Sequence, residues 1–264
     1  MVNKKVKLIF LMLACLMARP LHADTSQKTI DFLEKLNLKY YCLSREGLSK
    51  FTADAAISLT PEFEKLIADD KTKPQFIAAV ERIKFSISCA AGSAPEVTFT
   101  APAPTGDAQL DSRIRQAAAG FKQSIEGALQ TWTEMAFDPI NDQDTYAKDC
   151  KVHYTSDGFT VSVSGDDETL REYFDKKGQL SEVMGIMGNV PMDVTPHYSK
   201  TDKGLIVTDF EVTEAKRVTT IQCENKPVEG FLMLGQMVCD AKISGVPGSG
   251  FSFVLSFSNY KLNP

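Results

Sequence analysis

The sequence predicts an α+β fold: a curved antiparallel sheet, an open half-barrel of about 8–11 strands, covered on its concave face by N-terminal helices that include a long helix near 107–137. Three observations carry the prediction. Apolar residues in the first half recur mainly at helical spacing, and from Thr145 onward they recur at strand spacing between turn signals. One stretch, "DAQLDSRIRQAAAGFKQSIEGALQTWTEMAF", holds Ile114, Ala118, Phe121, Ile125, Leu129, Trp132 and Ala136 on a single unbroken stripe, which demands a partner surface. The closing "GFSFVLSFSNYKLN" alternates strictly, with Phe251, Phe253, Leu255 and Phe257 on one side and Ser252, Ser256 and Ser258 on the other.

In chain order, "TSQKTIDFLEKLNLKYYCLSREG" opens at a Thr25 or Ser26 cap and keeps helical spacing through Ile30, Leu33, Leu36, Tyr40 and Leu43, with Gly47 as its stop. "KFTADAAISL" is strand-like. Thr60-Pro61-Glu62 supplies the cap, first-turn proline and acidic first turn of a helix, and Pro74 begins another. "IKFSISCA" and "EVTFTA" are extended, and "APAPTG" interrupts both periods before the long helix, which Pro139 closes. Turns at Ser156-Asp157-Gly158, Gly165-Asp166-Asp167, Lys176-Lys177-Gly178, Asp202-Lys203-Gly204, Glu229-Gly230 and Pro247-Gly248-Ser249-Gly250 then separate a meander of long strands. Gly185, Gly188 and Gly235 inside strand sequence predict bends or bulges that add curvature.

Residues 1–23 read as a secretory signal peptide: Lys4, Lys5 and Lys7, the apolar run "LIFLMLACLMA", then "RPLHAD" with Ala23 at the cleavage position. Residues 24–264 then form a single half-barrel domain with a helical N-terminal part. The expected location is the periplasm; a lipoprotein box with Cys15 as the acylated residue, or release outside the cell, are the rivals. Removing four basic residues from 29 leaves 25 against 34 acidic, a net charge of −9, without a Lys/Arg stripe. A polyanion is repelled by such a chain, so nucleic acid and anionic membrane surfaces are excluded as partners, and no segment is apolar enough to span a bilayer.

Five cysteines remain after cleavage: Cys42, Cys89, Cys150, Cys223 and Cys239. An oxidising compartment permits disulfides, and Cys223 and Cys239, flanking the "EGF" turn, are the candidate pair across a hairpin; buried thiols behaving as small hydrophobes are the alternative. Catalytic and metal chemistry find no foothold. His153 and His197 stand apart, whereas zinc requires three or four convergent ligands. "GDDE" at 165–168 lacks the alternating spacing of a calcium loop and reads as a solvated turn. Glu126 and Glu134 flank the long stripe without a discernible partner that would assign them acid or base work. The chain reads as a non-enzyme with no cofactor and no metal.

Several segments carry a resemblance. "REYFDKKGQLSEVMG", "PHYSKTDKGLIVTDFEV", "VEGFLMLGQMVCDAKI" and "FSFVLSFSNYKLN" resemble the strand succession of exported bacterial proteins of the LolA/LolB-like type, and "KYYCLSREGLSKF" with "GALQTWTEMAFDP" resembles a group of secreted bacterial proteins of uncharacterised activity. The resemblance implies a deeply curved half-barrel capped by helices, whose apolar interior holds the acyl chains of a lipid or lipoprotein. The Arg-Pro segment and early Trp-containing strand of the carriers have no counterpart here, so no carrier residue transfers.

Two functions are therefore expected in competition. In the first, a non-enzymatic periplasmic protein binds an apolar acyl-chain ligand, lipid or lipoprotein, against Phe121, Ile125, Leu129, Trp132, Met184, Met187, Met233, Met237 and Phe253. Methionines suit apolar partners of variable shape, and equally suit the filling of gaps. In the second, the same fold with a filled core is an envelope structural or protein-interaction module. Phe257, near the chain end, is expected to tolerate alanine better than Phe253.

Overall fold

A computed structural model describes residues 27–67, 71–140, 150–164, 169–187, 190–244 and 250–263. Residues 1–23, read from sequence as a signal peptide and including Cys15, the segment from Thr145 to Lys148, the "GDDE" segment, Gly188 and most of Pro247–Gly250 lie outside them. The described elements are α1 (Gln27–Asn37), β1 (Lys50–Leu59), α2 (Pro61–Leu66), α3 (Lys73–Val80), β2 (Lys84–Ala90), β3 (Glu96–Thr100), α4 (Ala108–Phe137), β4 (Cys150–Tyr154), β5 (Gly158–Ser164), β6 (Thr169–Asp175), β7 (Leu180–Met187), β8 (Val190–Thr201), β9 (Gly204–Glu214), β10 (Arg217–Val228), β11 (Phe231–Ile243) and β12 (Phe251–Leu262). The strands form one unclosed sheet in the order β3-β2-β1-β12-β11-β10-β9-β8-β7-β6-β5-β4. Twelve strands exceed the expected range because β1, β2 and β3, which precede the long helix, join the same sheet through antiparallel pairing of β1 with β12.

Contacts cluster into two compact units. The first comprises Met1–Cys42 and Met135–Val218, the second Leu43–Glu134 and Thr219–Pro264.

In the second unit, α4 begins where Asp107 accepts the amides of Gln109 and Leu110 at 2.9 and 3.1 Å, capping two of the helix's otherwise orphaned donors. Asp111 accepts the Thr105 amide and hydroxyl, each at 2.8 Å; these bonds hold its carboxyl below the usual carboxylate range. The predicted stripe is buried along its length, and its rings meet the sheet: Phe121 lies 5.1 Å from Phe253 and Trp132 lies 6.2 Å from Phe51. The short helix α2 starts on its predicted cap, with the Thr60 hydroxyl accepting the Phe63 amide at 3.3 Å and donating to the Ser252 carbonyl at 2.8 Å. One side chain thus starts a helix and fastens it to β12. Phe63 completes the fastening against Phe121 and Phe251, at 5.4 and 5.9 Å.

In the first unit the helix expected to run past Leu43 stops at Asn37. Tyr40 instead makes a parallel bridge with Leu205: the Tyr41 amide donates to the Leu205 carbonyl at 2.8 Å and the Leu205 amide to the Lys39 carbonyl at 2.9 Å. These tertiary bonds replace two that a continued helix would make. Gly47, predicted to stop the helix, serves a separate turn at φ +94°. The core of this unit gathers Leu33, Leu36 and Tyr40 against Phe159, Val161, Phe174 and Leu180.

Of the glycines expected to bend strands, Gly185 coincides with no described register shift, and Gly188 lies outside the described residues. Register shifts lie between Thr52 and Asp54, Tyr173 and Phe174, and His197 and Tyr198. Gly185 pairs regularly with Leu170 and Met192. Gly235 is a site of close approach, where an added Cβ would stand 3.3 Å from the Glu224 carbonyl.

Candidate functional site

The apolar residues named from sequence divide between the two units. Phe121, Ile125, Leu129, Trp132, Met233, Met237 and Phe253 belong to the second, and Met184 and Met187 to the first. In the second unit Ile125, Leu129, Met233 and Met237 retain 0% of their accessible surface, Trp132 and Phe253 1%. A side chain facing a void large enough for water keeps some accessible area, so these residues are packed against protein atoms as in an ordinary core. Met184 is 41% exposed, on the face of β7 opposite to the buried one, beside Arg171 of β6 and Asp193 of β8.

The expected Cys223–Cys239 staple does not form: all five described cysteines are thiols. The cause is register. Cys223 stands six residues before Glu229 and Cys239 nine after Gly230, so the two are out of step by three residues, about 10 Å along a strand. A disulfide bridges Cα atoms less than about 7 Å apart. Burial pushes Cys89 and Cys239 up to about 12, and the Cys42 thiol donates to the Phe137 carbonyl at 2.8 Å.

One polar residue that sequence reasoning misses lies in the interior of the first unit. Glu172 pairs with Val161 on one side and Val183 on the other; Val152 continues the row beyond Val161 and Val194 beyond Val183, so a single acid sits among four valines across β4 to β8. It is 4% exposed. Burial, and after it the Glu172 charge, raises the pKa of Tyr40, Tyr198 and Cys150 and so disfavours their ionised forms. The signal is present in "LREYFD", where Leu170, Glu172 and Phe174 share one side by strand parity.

No protein family, curated protein or solved structure matches the chain. The chemistry of the site therefore rests on its own groups. Burial, then the Glu172 charge, pushes the Cys150 thiol up to about 11, the reverse of the lowered value that makes a cysteine nucleophilic. The Tyr198 hydroxyl is buried and has no hydrogen-bond partner among the described residues, and its ring meets that of Tyr40 edge-on at 5.2 Å. Tyr40 serves the structure: its hydroxyl accepts the Leu180 amide at 2.7 Å and lies 3.3 Å from the Gly178 carbonyl, to which it donates. Tyr40→Phe strands a buried amide and is expected to cost about 1–3 kcal/mol in urea unfolding; a loss below about 0.5 kcal/mol would show that the bond contributes nothing net.

The other acids and histidines are placed plainly. Glu126 pairs with Lys122 one turn away on α4, and Glu134 accepts the Gln130 side-chain amide. Burial raises Glu134 to about 7 while the Gln130 bond opposes the rise. His153 is exposed, and His197 lies 3.7 Å from Asp209 at the surface. Among the described residues no group of three or more His, Cys, Asp or Glu could hold a metal ion, and no helix is long and apolar enough to cross a membrane.

Proposed function

We propose that the protein is a non-enzymatic module of the bacterial envelope, exported and working through its surface, with helices laid on a curled sheet over a filled interior. The observation that supports this reading is the packing of the second unit, where the residues best suited to line an acyl-chain cavity have essentially no accessible surface. An acyl chain entering there would have to displace rings already in contact, each of which contributes about 2–3 kcal/mol by burial. The raised thiol and phenol groups around Glu172 add a second support, since none is poised as a nucleophile.

Lipid extraction and native mass spectrometry of protein purified from its own host test the proposal. No acyl species is expected to accompany the protein, and added fatty acid is expected to leave the melting temperature unchanged. A stoichiometric lipid mass would overturn it. The carrier reading keeps one specific support, in the first unit: Phe32, Val152, Val183, Tyr198 and Leu205 pack on the core there while remaining partly exposed. If lipid is found, photo-crosslinking should then map it to those residues and leave α4 unlabelled.

A further inference from the structure

Polar side chains recur every four residues along the second half of α4, at Lys122, Glu126, Gln130 and Glu134, so that each neighbours the next on the helix surface. They pair in twos: Lys122 with Glu126, and Gln130 Nε2 donating to Glu134 Oε1. The second pair is incomplete. Gln130 Oε1 is buried and has no hydrogen-bond partner among the described residues. The hydroxyls beside it are committed elsewhere, Thr131 donating to the Gly127 carbonyl at 3.4 Å and Thr133 to the Gln130 carbonyl at 3.0 Å. The Trp132 indole, two residues on and so about 200° around the helix, faces away toward Phe51. The donor that α4 still has to offer Gln130 Oε1 is a proton on the second carboxyl oxygen of Glu134.

We propose that Gln130 and Glu134 form a proton-operated clasp on the last two turns of α4, closed as a two-bond ring between amide and carboxylic acid and opened when the acid ionises. Both end groups are planar and sit on torsions with broad, two-fold preferences, so rotation about them brings the second carboxyl oxygen to Gln130 Oε1. A protonated carboxyl donates one hydrogen bond while accepting the one from Nε2, whereas a carboxylate only accepts. Ionisation therefore leaves Gln130 Oε1 unmatched, at the full cost of its desolvation. Among the described residues, the elements touching α4 leave the pair to itself. Helices α2 and α3 meet it at Phe121 and Arg113, the nearer of them about 20 Å along the helix from Glu134. Lys50 and Asp54 of β1 and Lys261 are exposed, the Tyr260 hydroxyl of β12 donates to the Leu234 carbonyl at 2.6 Å, and the Cys42 thiol donates to the Phe137 carbonyl at 2.8 Å. On α4's own course Lys122 is held by Glu126, and Asp138 follows Glu134 one turn later. Burial raises Glu134 from 4.5 to about 7 against the opposing donation from Gln130, which places the change of state near neutral pH.

The sign follows from linkage. Between 4.5 and about 7 the folded protein holds a proton that the unfolded chain has released, so the clasp's contribution is complete below 4.5, falls as pH rises from there, and is gone above about 7. Glu134→Gln supplies a second amide that donates to Gln130 Oε1 without needing a proton. Urea unfolding of the full chain from about pH 4 to 8 is expected to show the wild-type folding constant falling relative to that of Glu134→Gln, by up to about tenfold per pH unit inside the window. The comparison cancels the titration of the histidines, which both proteins share. Nuclear magnetic resonance of the wild type, labelled at the Glu carboxyl carbons and Gln side-chain nitrogens, reads the pair directly and does not depend on the variant folding. Glu134 is expected to titrate near 7, with the Gln130 Nε2 resonance following the same midpoint. Parallel stability profiles, a Glu134 midpoint at its ordinary 4.5, or a Gln130 amide indifferent to the titration of Glu134 would each overturn the proposal.

Discussion

Phe253→Ala is expected to destabilise the second unit by about 3–5 kcal/mol, the ordinary cost of deleting a packed core ring. The ring is almost fully buried, edge-on to Phe121 at 5.1 Å and stacked with Phe251 at 6.3 Å. In the backbone ladder it stands between Leu59 of β1 and Cys239 of β11, so the void would open between two strand partners and a helix with little freedom to collapse into it. Urea unfolding followed by the fluorescence of Trp132, on the same helix, reads the loss. A cost under about 1 kcal/mol would mean that the ring lines a space instead of filling one, and would revive an acyl site beneath α4. Phe257→Ala is expected to cost about as much. Nearness to the chain end alone suggests a mild effect, but β12 continues to Leu262 and Phe257 is buried opposite Ala55.

Gly204→Ala is expected to disrupt the first unit strongly. The residue sits at φ +127°, and an added Cβ would lie 2.8 Å from the Tyr41 nitrogen, 2.9 Å from the Tyr40 carbonyl carbon and 3.0 Å from the Lys39 oxygen. All three are backbone atoms, so no side chain can swing aside. The strained backbone and the displaced segment together are expected to cost about 2–5 kcal/mol. Hydrogen exchange at Tyr41 and Leu205 should accelerate first, because their amides bond across this contact. Unfolding indistinguishable from wild type would show that the Lys39–Tyr41 segment moves without penalty.

Local pattern is legible where period and punctuation agree. "KFTADAAISL" and "FLMLGQMVCDAKI" match β1 and β11 residue for residue, and the stripe from Ile114 to Trp132 is buried as its spacing requires. What escapes the pattern is long-range. Tyr40 continues a helical spacing, but a bond to Leu205, distant in sequence, overrides it. The separation of Cys223 from Cys239 suits a hairpin only until the residues are counted outward from the turn. Glu172 is easily passed over because acids in strands usually face water; only its parity with Leu170 and Phe174 marks it as internal. Whether a stripe of rings fills or lines its space depends on packing to within a fraction of a side chain, which no periodicity encodes.

The pairing of β1 with β12 sets a schedule for biosynthesis. Ser58 aligns with Val254, and the second unit needs both Leu43–Glu134 and Thr219–Pro264, with the strands of the first unit emerging in between. Contacts this remote in sequence form slowly, because a long loop must close before any of them is gained. Until Phe251 to Phe257 are synthesised, the apolar stripe of α4 and one edge of β1 lack the strand that covers them. A nascent chain in that condition is a target for aggregation until the final strand is available.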